Sequence, residues 1–295
     1  MEDLMAFICK VTGSLLAVSI PAFLLYLVGF QFAGVNASYG DGLYSYTNHF
    51  LFLIDDRALW AFFPRFSSVF LEPGHLGTAV ALLLSTQFGK WKKWYNIVLL
   101  VALLLTFSLA AYVIYVIVIF LKLWTQGKQF IGKLIMVTSL ITVIVTGSFF
   151  YNNGENLLHD LILIRLEVED GDLAGNNRVT EDFDTDFEKL CTSSAVIFGK
   201  KRDNPEFGNS GYKVFIYENG IIGTILMLAF YLSTLSKVYN RKAATSSFIL
   251  ALLGFIVRGY PLWYSNFLPY FALAHHNQSF SEEEGNEQGK KEELS

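Results

Sequence analysis

Charged residues are scarce in this chain. Only 16% of its 295 residues are Asp, Glu, Lys or Arg, whereas soluble domains usually carry about 25%. Hydrophobic residues make up 53%, and the mean hydropathy is +0.41. The shortage of charge excludes an ordinary soluble globular domain.

Cysteine is equally scarce, and common enzyme motifs are missing. Cys9 and Cys191 are expected on opposite sides of a membrane, so neither a disulfide nor a cysteine-based metal site is predicted. The chain has no Walker loop, G-x-S-x-G or H-E-x-x-H motif. Of its five histidines, only His275 and His276 lie close together in the sequence. We expect no metal and no cofactor.

Long apolar blocks dominate instead. A block of about 20 apolar residues is typical of a transmembrane helix. The first run is longer than the apolar core of a secretory signal, and no convincing A-x-A site follows it, so we interpret it as a retained span. The chain is therefore predicted to be an all-α polytopic membrane protein, with apolar segments at 11–35, 74–89, 94–124, 130–150, 212–235 and 245–275.

Two of these segments are long enough to be divided. The 94–124 run would extend about 46 Å as one helix, against a hydrocarbon thickness of about 30 Å. It is either one steeply tilted helix or two short ones turning near Ser108. The 245–275 run is interrupted at Arg258, Gly259 and Pro261.

The positions of the lysines favour two crossings in both runs. Positive residues prefer the cytoplasmic side of a membrane. If all three basic clusters are cytoplasmic, the chain has about eight transmembrane helices with both termini inside. The clusters are Lys90, Lys92 and Lys93; Lys122, Lys128 and Lys133; and Lys237, Arg241 and Lys242.

This topology defines the predicted organisation. Residues 1–275 form a transmembrane domain, and the polar segment 276–295 is expected to be a disordered cytoplasmic tail. Residues 36–73, a loop at 151–211 and a short turn at Arg258 lie outside. The 151–211 loop holds 13 of the 26 carboxylates and is expected to fold over the outer surface.

One helix is predicted within this large loop. In TEDFDTDFEKL, Phe183, Phe187 and Leu190 share one face of an amphipathic helix. Asp184 and Asp186 could form a metal-binding D-x-D motif, but no strand precedes them. We favour a solvated acidic face for this charge run.

Arginine is concentrated on the predicted outer side. Its planar guanidinium binds phosphate or carboxylate with two parallel hydrogen bonds, whereas lysine acts as a point charge. An outer cavity lined by arginine suggests an anionic ligand such as a lipid pyrophosphate. The alternative is that these arginines pair with loop carboxylates. They are Arg57, Arg65, Arg165, Arg178, Arg202 and Arg258.

Three segments carry a family resemblance. RFSSVFLEPGHLGTAVALLL, LLLTFSLAAYVIYVIVIF and GNSGYKVFIYENGIIGTILML occur in that order. Together they resemble the O-antigen polymerase and O-antigen ligase superfamily, most of all its exopolysaccharide or capsule polymerases. The resemblance covers roughly residues 40 to 270.

The resemblance implies a membrane glycosyltransferase of GT-C-like architecture in the bacterial inner membrane. Such enzymes transfer a glycan from a polyprenyl-diphosphate carrier to an acceptor sugar at the outer face, without a nucleotide sugar or a required metal. The expected partners are the lipid-linked glycan, membrane lipids, and a chain-length regulator and flippase of the same pathway. No nucleic acid is expected.

Residue roles follow from the same resemblance. Arg65, before the Glu-Pro-Gly element, and Arg178, in the large loop, match arginines that engage the carrier pyrophosphate. Arg165 and Arg258 are compatible with substrate binding. Ligases commonly carry a His-Asn pair where this chain has Gly208-Asn209-Ser210, which favours a polymerase over a ligase. Asn209 is included among the substrate-binding candidates.

Two glutamates have open roles. Glu72 could accept the proton of the attacking hydroxyl, or it could pair with Arg65, and we favour the pair. Glu218 carries the same ambiguity and is included among the substrate-binding candidates. Gly220 and Gly223 are expected to allow close helix packing.

The chain also departs from the family. Relatives usually have several spans before the Arg-Phe segment, whereas one precedes it here, and many have Ser-Arg where this chain has Ser108-Leu109. An inactive accessory relative therefore remains an alternative. A transporter or flippase of lipid-linked glycans is another, although transporters often carry paired repeats and none is visible.

Overall fold

The structure, a computed structural model, divides into two compact units. One comprises Met1–Ile8, Glu181–Asp203 and Asn209–Ser295, and the other Cys9–Thr180 and Asn204–Gly208. We refer to them as the C-terminal and the N-terminal unit. The residues that the structure describes are 2–39, 44–55, 64–126, 130–163, 168–169, 172–173, 181–201, 211–235 and 241–257.

Helices account for most of the described residues. The α-helices are α1 (Glu2–Leu27), α2 (Pro73–Thr86), α3 (Trp94–Leu105), α4 (Leu109–Gln126), α5 (Phe130–Phe150), α6 (Leu157–Leu161), α7 (Glu181–Cys191), α8 (Gly211–Leu235) and α9 (Arg241–Val257). The strands are β1 (Val35–Tyr39), β2 (Tyr44–Asn48), β3 (Leu53–Asp55), β4 (Val168–Glu169) and β5 (Asp172–Leu173). Short 3-10 helices cover Tyr151–Gly154 and Ser194–Ile197.

Three of the described helices are long and apolar enough to cross a membrane. They are Asp3–Leu27, Phe130–Phe150 and Gly211–Leu235. Two shorter apolar helices, Trp94–Leu105 and Leu109–Thr125, divide the long 94–124 run. The chain is thus mostly helical, as expected of a helical membrane protein.

The break that the length of the 94–124 run suggested is confirmed. α3 ends at Leu105 and α4 begins at Leu109, and Phe107 between them has a positive φ of 42°. The second half of the 245–275 run and the 276–295 tail lie outside the described residues. The count of eight spans therefore stays a prediction.

The core of the N-terminal unit is built around α2. Its residues from Leu76 to Thr86 are all buried, and it packs against α3 and α4. Gly77 makes the closest approach, since a Cβ added there would lie 2.6 Å from the Cβ of Ala111. Pro73 occupies the first helical position, where its missing N–H costs nothing.

A three-stranded antiparallel sheet was not predicted from the sequence. β2 lies between β1 and β3, with Val35 opposite Asn48 and Tyr46 opposite Asp55. Its residues lie almost wholly in the segment 36–73 that the sequence analysis treated as an outer loop. The buried ring of Phe52, just before β3, packs 6.0 Å from Phe23 of α1, measured between ring centroids.

The C-terminal unit confirms the predicted amphipathic helix. In α7, Phe183 and Leu190 are buried. The ring of Phe183 lies 5.6 Å from Tyr217 of α8. α8 in turn packs on α9 through an apolar cluster that includes Phe215 and Phe255, whose ring centroids are 5.6 Å apart.

Candidate functional site

Arg65 lies against the C-terminal end of α3. Its Nε–H donates to the backbone carbonyl of Thr106 at 2.9 Å. The N–H of the next residue, Phe66, donates to Leu105 at 3.1 Å. The Tyr112 hydroxyl donates to the carbonyl of Leu104. Three carbonyls at this helix end thus gain donors from outside the helix.

This arrangement supplies a compensating partner for the arginine charge. The last carbonyls of a helix lack intrahelical donors, and they carry the negative end of the helix dipole. A cation there is stabilised by typically 0.3–1 kcal/mol. Arg65 therefore has a structural role at the end of α3, whatever ligand it also binds.

Glu72 lies at the N-terminal end of α2. It precedes α2 in an extended conformation, and its backbone carbonyl accepts from the N–H groups of His75 and Leu76 at 3.1 and 3.3 Å. Its side chain is partly buried. A carboxylate at a helix N-terminus interacts favourably with the positive end of the dipole. Its role as a base or as a partner of Arg65 stays a prediction.

The packing of α2 brings two of the resemblance segments together. A Cβ on Gly77 would lie 3.0 Å from the side-chain oxygen of Thr106 and 3.5 Å from the Cβ of Ser108. The second turn of α2, which begins five residues after Glu72, is therefore adjacent to the turn between α3 and α4. Arg65 contacts that same turn. We call this arrangement the α2–α3 corner.

A second polar cluster joins α7 to the first half of α8. The Lys213 ammonium forms an ion pair with Asp184. The Tyr217 hydroxyl donates to Asp186 at 2.6 Å, and the Lys200 ammonium lies 3.7 Å from the same carboxylate oxygen. We call these five residues the α7–α8 cluster.

The α7–α8 cluster changes the interpretation of the D-x-D sequence. The acidic face was expected to be merely solvated, but Asp184 and Asp186 each bind side chains across a helix–helix interface. Among the described residues, no group of three or more His, Cys, Asp or Glu side chains is placed to hold a metal ion. The two aspartates join helices in this structure.

α8 is broken within this interface. Gly220 has φ 66° and ψ −173°, outside the helical region. A Cβ there would lie 2.4 Å from the carbonyl oxygen of Ile197 and 2.5 Å from the nitrogen of Gly199. The Lys200 N–H donates to the carbonyl of Tyr217 at 2.7 Å. The backbone after α7 thus fits directly into the break.

This finding corrects the roles of two glycines. Gly220 allows the end of the 3-10 helix Ser194–Ile197 and the following Gly199 to approach α8, and its positive φ also favours glycine. At Gly223, the nearest atoms to an added Cβ belong to Asn219 of the same helix, the closest at 2.5 Å. Within the described part of the chain, neither glycine therefore packs against a neighbouring α-helix, as the prediction had expected.

Glu218 borders the break. A Cβ on Gly199 would lie 2.7 Å from the carbonyl carbon and oxygen of Glu218, so the loop contacts its backbone. Its side chain is partly buried. Glu218 belongs to the C-terminal unit, and Glu72 belongs to the N-terminal unit.

The other predicted site residues lie outside the described residues. These are the second proposed catalytic arginine, Arg178, and the substrate-binding candidates Arg165, Asn209 and Arg258. Their proposed roles stay predictions. Of the predicted site residues, Arg65, Glu72 and Glu218 have a described environment.

Sequence reasoning missed the basic and phenolic members of the α7–α8 cluster. Lys213 and Tyr217 are four residues apart in α8 and therefore share one helix face. Asp184 and Asp186, two residues apart in α7, bind them. The signal was a Lys-x-x-x-Tyr face opposite an acidic helix, but the pairing itself depends on tertiary packing.

Comparison of the chain with protein-family models, with curated proteins and with solved structures finds no match.

Proposed function

We propose that this protein is a polysaccharide polymerase of the bacterial inner membrane. It transfers a glycan from a polyprenyl-diphosphate carrier to an acceptor sugar at the outer face. The observation that carries the proposal is the α2–α3 corner, where Arg65 and Gly77, which lies five residues after Glu72, both approach the turn between α3 and α4. In the resemblance, these segments belong to the outer face.

The chemistry of the reaction suits such a corner. The leaving group is a diphosphate, and its negative charge grows as the glycosidic bond breaks. A fixed guanidinium beside that charge lowers the barrier, because it needs no reorganisation during the reaction. The Thr106 carbonyl holds the Nε of Arg65 and so fixes the plane of its guanidinium.

A first test measures sidedness. With both native cysteines replaced, a cysteine at Ser45 should react with an impermeant maleimide in intact cells. A cysteine at Trp91 should react only after lysis. Labelling of position 91 from outside would invert the topology and remove Arg65 from the outer face.

A second test measures chemistry with purified protein and a synthetic polyprenyl-diphosphate oligosaccharide. Arg65→Ala should lower carrier release and glycan lengthening about a hundredfold, the typical cost of removing one preorganised donor. Arg65→Lys should also be impaired, because the charge remains but the planar geometry is lost. Arg178→Ala should behave like Arg65→Ala.

Tyr112→Phe is the matched control. It removes a donor from the same helix end as Arg65, but it removes no positive charge. If the corner were only structural, the Tyr112 and Arg65 variants would lose activity in proportion to their loss of stability. Full activity of Arg65→Ala and Arg178→Ala would contradict the transferase site.

Glu72→Gln separates the two roles of that glutamate. Loss of turnover with unchanged donor binding would assign the base, because an amide cannot accept the proton. Joint weakening of donor binding and stability, with some turnover left, would assign a partner of Arg65. Transport of intact donor across the vesicle membrane without carrier release would support the flippase alternative. Absence of both transport and carrier release would support the inactive accessory relative.

A further inference from the structure

Four large apolar side chains are exposed together where α1 ends. Val28 and Phe30 follow the helix directly, and Phe50 and Leu51 form the turn between β2 and β3. Val28 is 81% exposed and Phe50 66%. We call these four residues the apolar tip.

Aromatic contacts place the sheet turn level with the last turn of α1. The ring of Tyr26 lies 5.3 Å from His49 and 5.5 Å from Phe52, which flank the turn on both sides. Phe32 completes the contact, at 5.5 Å from Phe52. The two halves of the apolar tip are therefore connected through packed aromatic rings, although about 20 residues separate them in the chain.

The length of α1 gives the depth of the apolar tip in a membrane. The helix from Val11, after the last charged residue Lys10, to Leu27 rises about 26 Å at about 1.5 Å per residue. The hydrocarbon core is about 30 Å thick. A helix that enters at Lys10 therefore ends close to the opposite boundary between hydrocarbon and headgroups.

The backbone at Phe50 is unusual for an exposed aromatic residue. Its φ is 66°, in the left-handed region that glycine or asparagine usually occupies. The Asn48 side chain accepts its N–H at 2.7 Å, and the Leu51 N–H donates to His49 at 2.8 Å. Such strain often marks a functional position, and here it directs a large ring outward.

We propose that the apolar tip is a membrane anchor, inserted at the boundary between headgroups and acyl chains of the leaflet in which α1 ends. Its ligand is a phospholipid surface. Phe and Leu are typical of the buried face of helices that lie at this depth, and buried apolar area stabilises interfacial binding. The proposal does not depend on the enzymatic function.

Hydrogen bonds also connect the strand after the apolar tip to the segment that begins at Arg65. The Leu53 N–H donates to Ser68 at 2.7 Å, and the Ser67 hydroxyl donates to Leu53 at 3.2 Å. β3 thus binds the segment that begins at Arg65. An anchored turn therefore fixes the depth of that segment relative to the bilayer.

The test measures the depth of a fluorescent label in reconstituted vesicles. In a background lacking Cys9 and Cys191, a cysteine at Phe50 carries an environment-sensitive dye. The control is a cysteine at Ser38, an exposed polar position on β1. Ser38 pairs with Ser45, three residues or about 10 Å along the sheet from the Val35–Asn48 pair.

We expect lipids with a nitroxide near the headgroup to quench the label at position 50 about threefold more than the label at position 38. Aqueous iodide should quench the label at position 38 more than the label at position 50. Equal iodide access at both positions would overturn the proposal. Protection of position 50 from both quenchers would also overturn it, because the tip would then be covered by protein.

A second labelling site controls for disruption of the turn. A cysteine at Leu51 leaves the strained Phe50 in place and should give the same quenching pattern. Unfolding temperatures matching the unlabelled protein establish that each labelled variant is folded. If a labelled Phe50 variant fails to fold, the result at Leu51 decides: water exposure there overturns the proposal.

Discussion

The charged side chains of the α2–α3 corner and of the α7–α8 cluster have different kinds of hydrogen-bonding partner. In the corner, Arg65 binds a main-chain carbonyl at a helix end. In the cluster, Asp184 and Asp186 bind the side chains of Lys213 and Tyr217. A backbone acceptor cannot be removed by substitution, whereas either member of a side-chain pair can be. The bond between Arg65 and Thr106 can therefore be altered only from the arginine side, and each bond of the cluster from both sides.

The largest expected effect lies beside the cluster, in the backbone of α8. Gly220→Ala places a Cβ within 2.6 Å of three main-chain atoms of the 197–199 loop and strains a positive φ. We expect a loss of at least about 3 kcal/mol of unfolding free energy, because neither backbone can move cheaply. Denaturant unfolding in detergent micelles measures it.

Gly147→Ala in α5 is its matched control. A Cβ at Gly147 meets nothing within 4 Å, and alanine is the better helix former. We expect no loss there. Equal behaviour of the two glycine variants would mean that the loop does not occupy the break in α8.

The next effect tests the corner. Arg65→Ala removes a charged donor from the end of α3, and we expect a loss of about 1–2 kcal/mol. Tyr112→Phe removes a neutral donor from the same helix end, with an expected loss of about 1 kcal/mol. Unfolding of both variants under matched conditions measures the difference, which would vanish if the charge contributed nothing.

A smaller effect is expected at Tyr217. Tyr217→Phe deletes the hydroxyl that donates to Asp186, but Lys200 remains beside that carboxylate. We expect about 1 kcal/mol. A double-mutant cycle with Asp186→Ala measures the coupling, because alanine has no acceptor for the hydroxyl. Additive losses would show that the hydroxyl and the carboxylate do not interact in solution.

The smallest effect belongs to Asp184 and Lys213. The Asp184 side chain is 43% exposed, and exposed ion pairs contribute about 0–1 kcal/mol. We expect Asp184→Asn to cost a few tenths of a kcal/mol, and less in high salt because salt screens the pair. A loss unchanged between low and high salt would contradict a screened pair.

The sequence predicted those structural features that depend on a local residue pattern. The break near Ser108 followed from a run too long for the bilayer together with the lysines at both of its ends, and α7 followed from the spacing of Phe183, Phe187 and Leu190. Both are confirmed because length and periodicity act within one segment.

Long-range partners could not be predicted in this way. The carbonyl that binds Arg65 lies 41 residues away and belongs to the main chain, so no side chain signals it. The approach of Gly199 to Gly220 depends on tertiary packing between segments 21 residues apart. The docking of the sheet could not be predicted either, because it depends on contacts between distant segments, such as that between the rings of Phe23 and Phe52.

The break at Gly220 has a consequence for biogenesis. The loop that fills it, ending at Lys200, precedes α8 in the chain, so a ribosome completes that loop before the helix. The Lys200 N–H, which donates to the Tyr217 carbonyl, is therefore synthesised before its acceptor. Assembly of this part of the protein can therefore proceed in the order of synthesis.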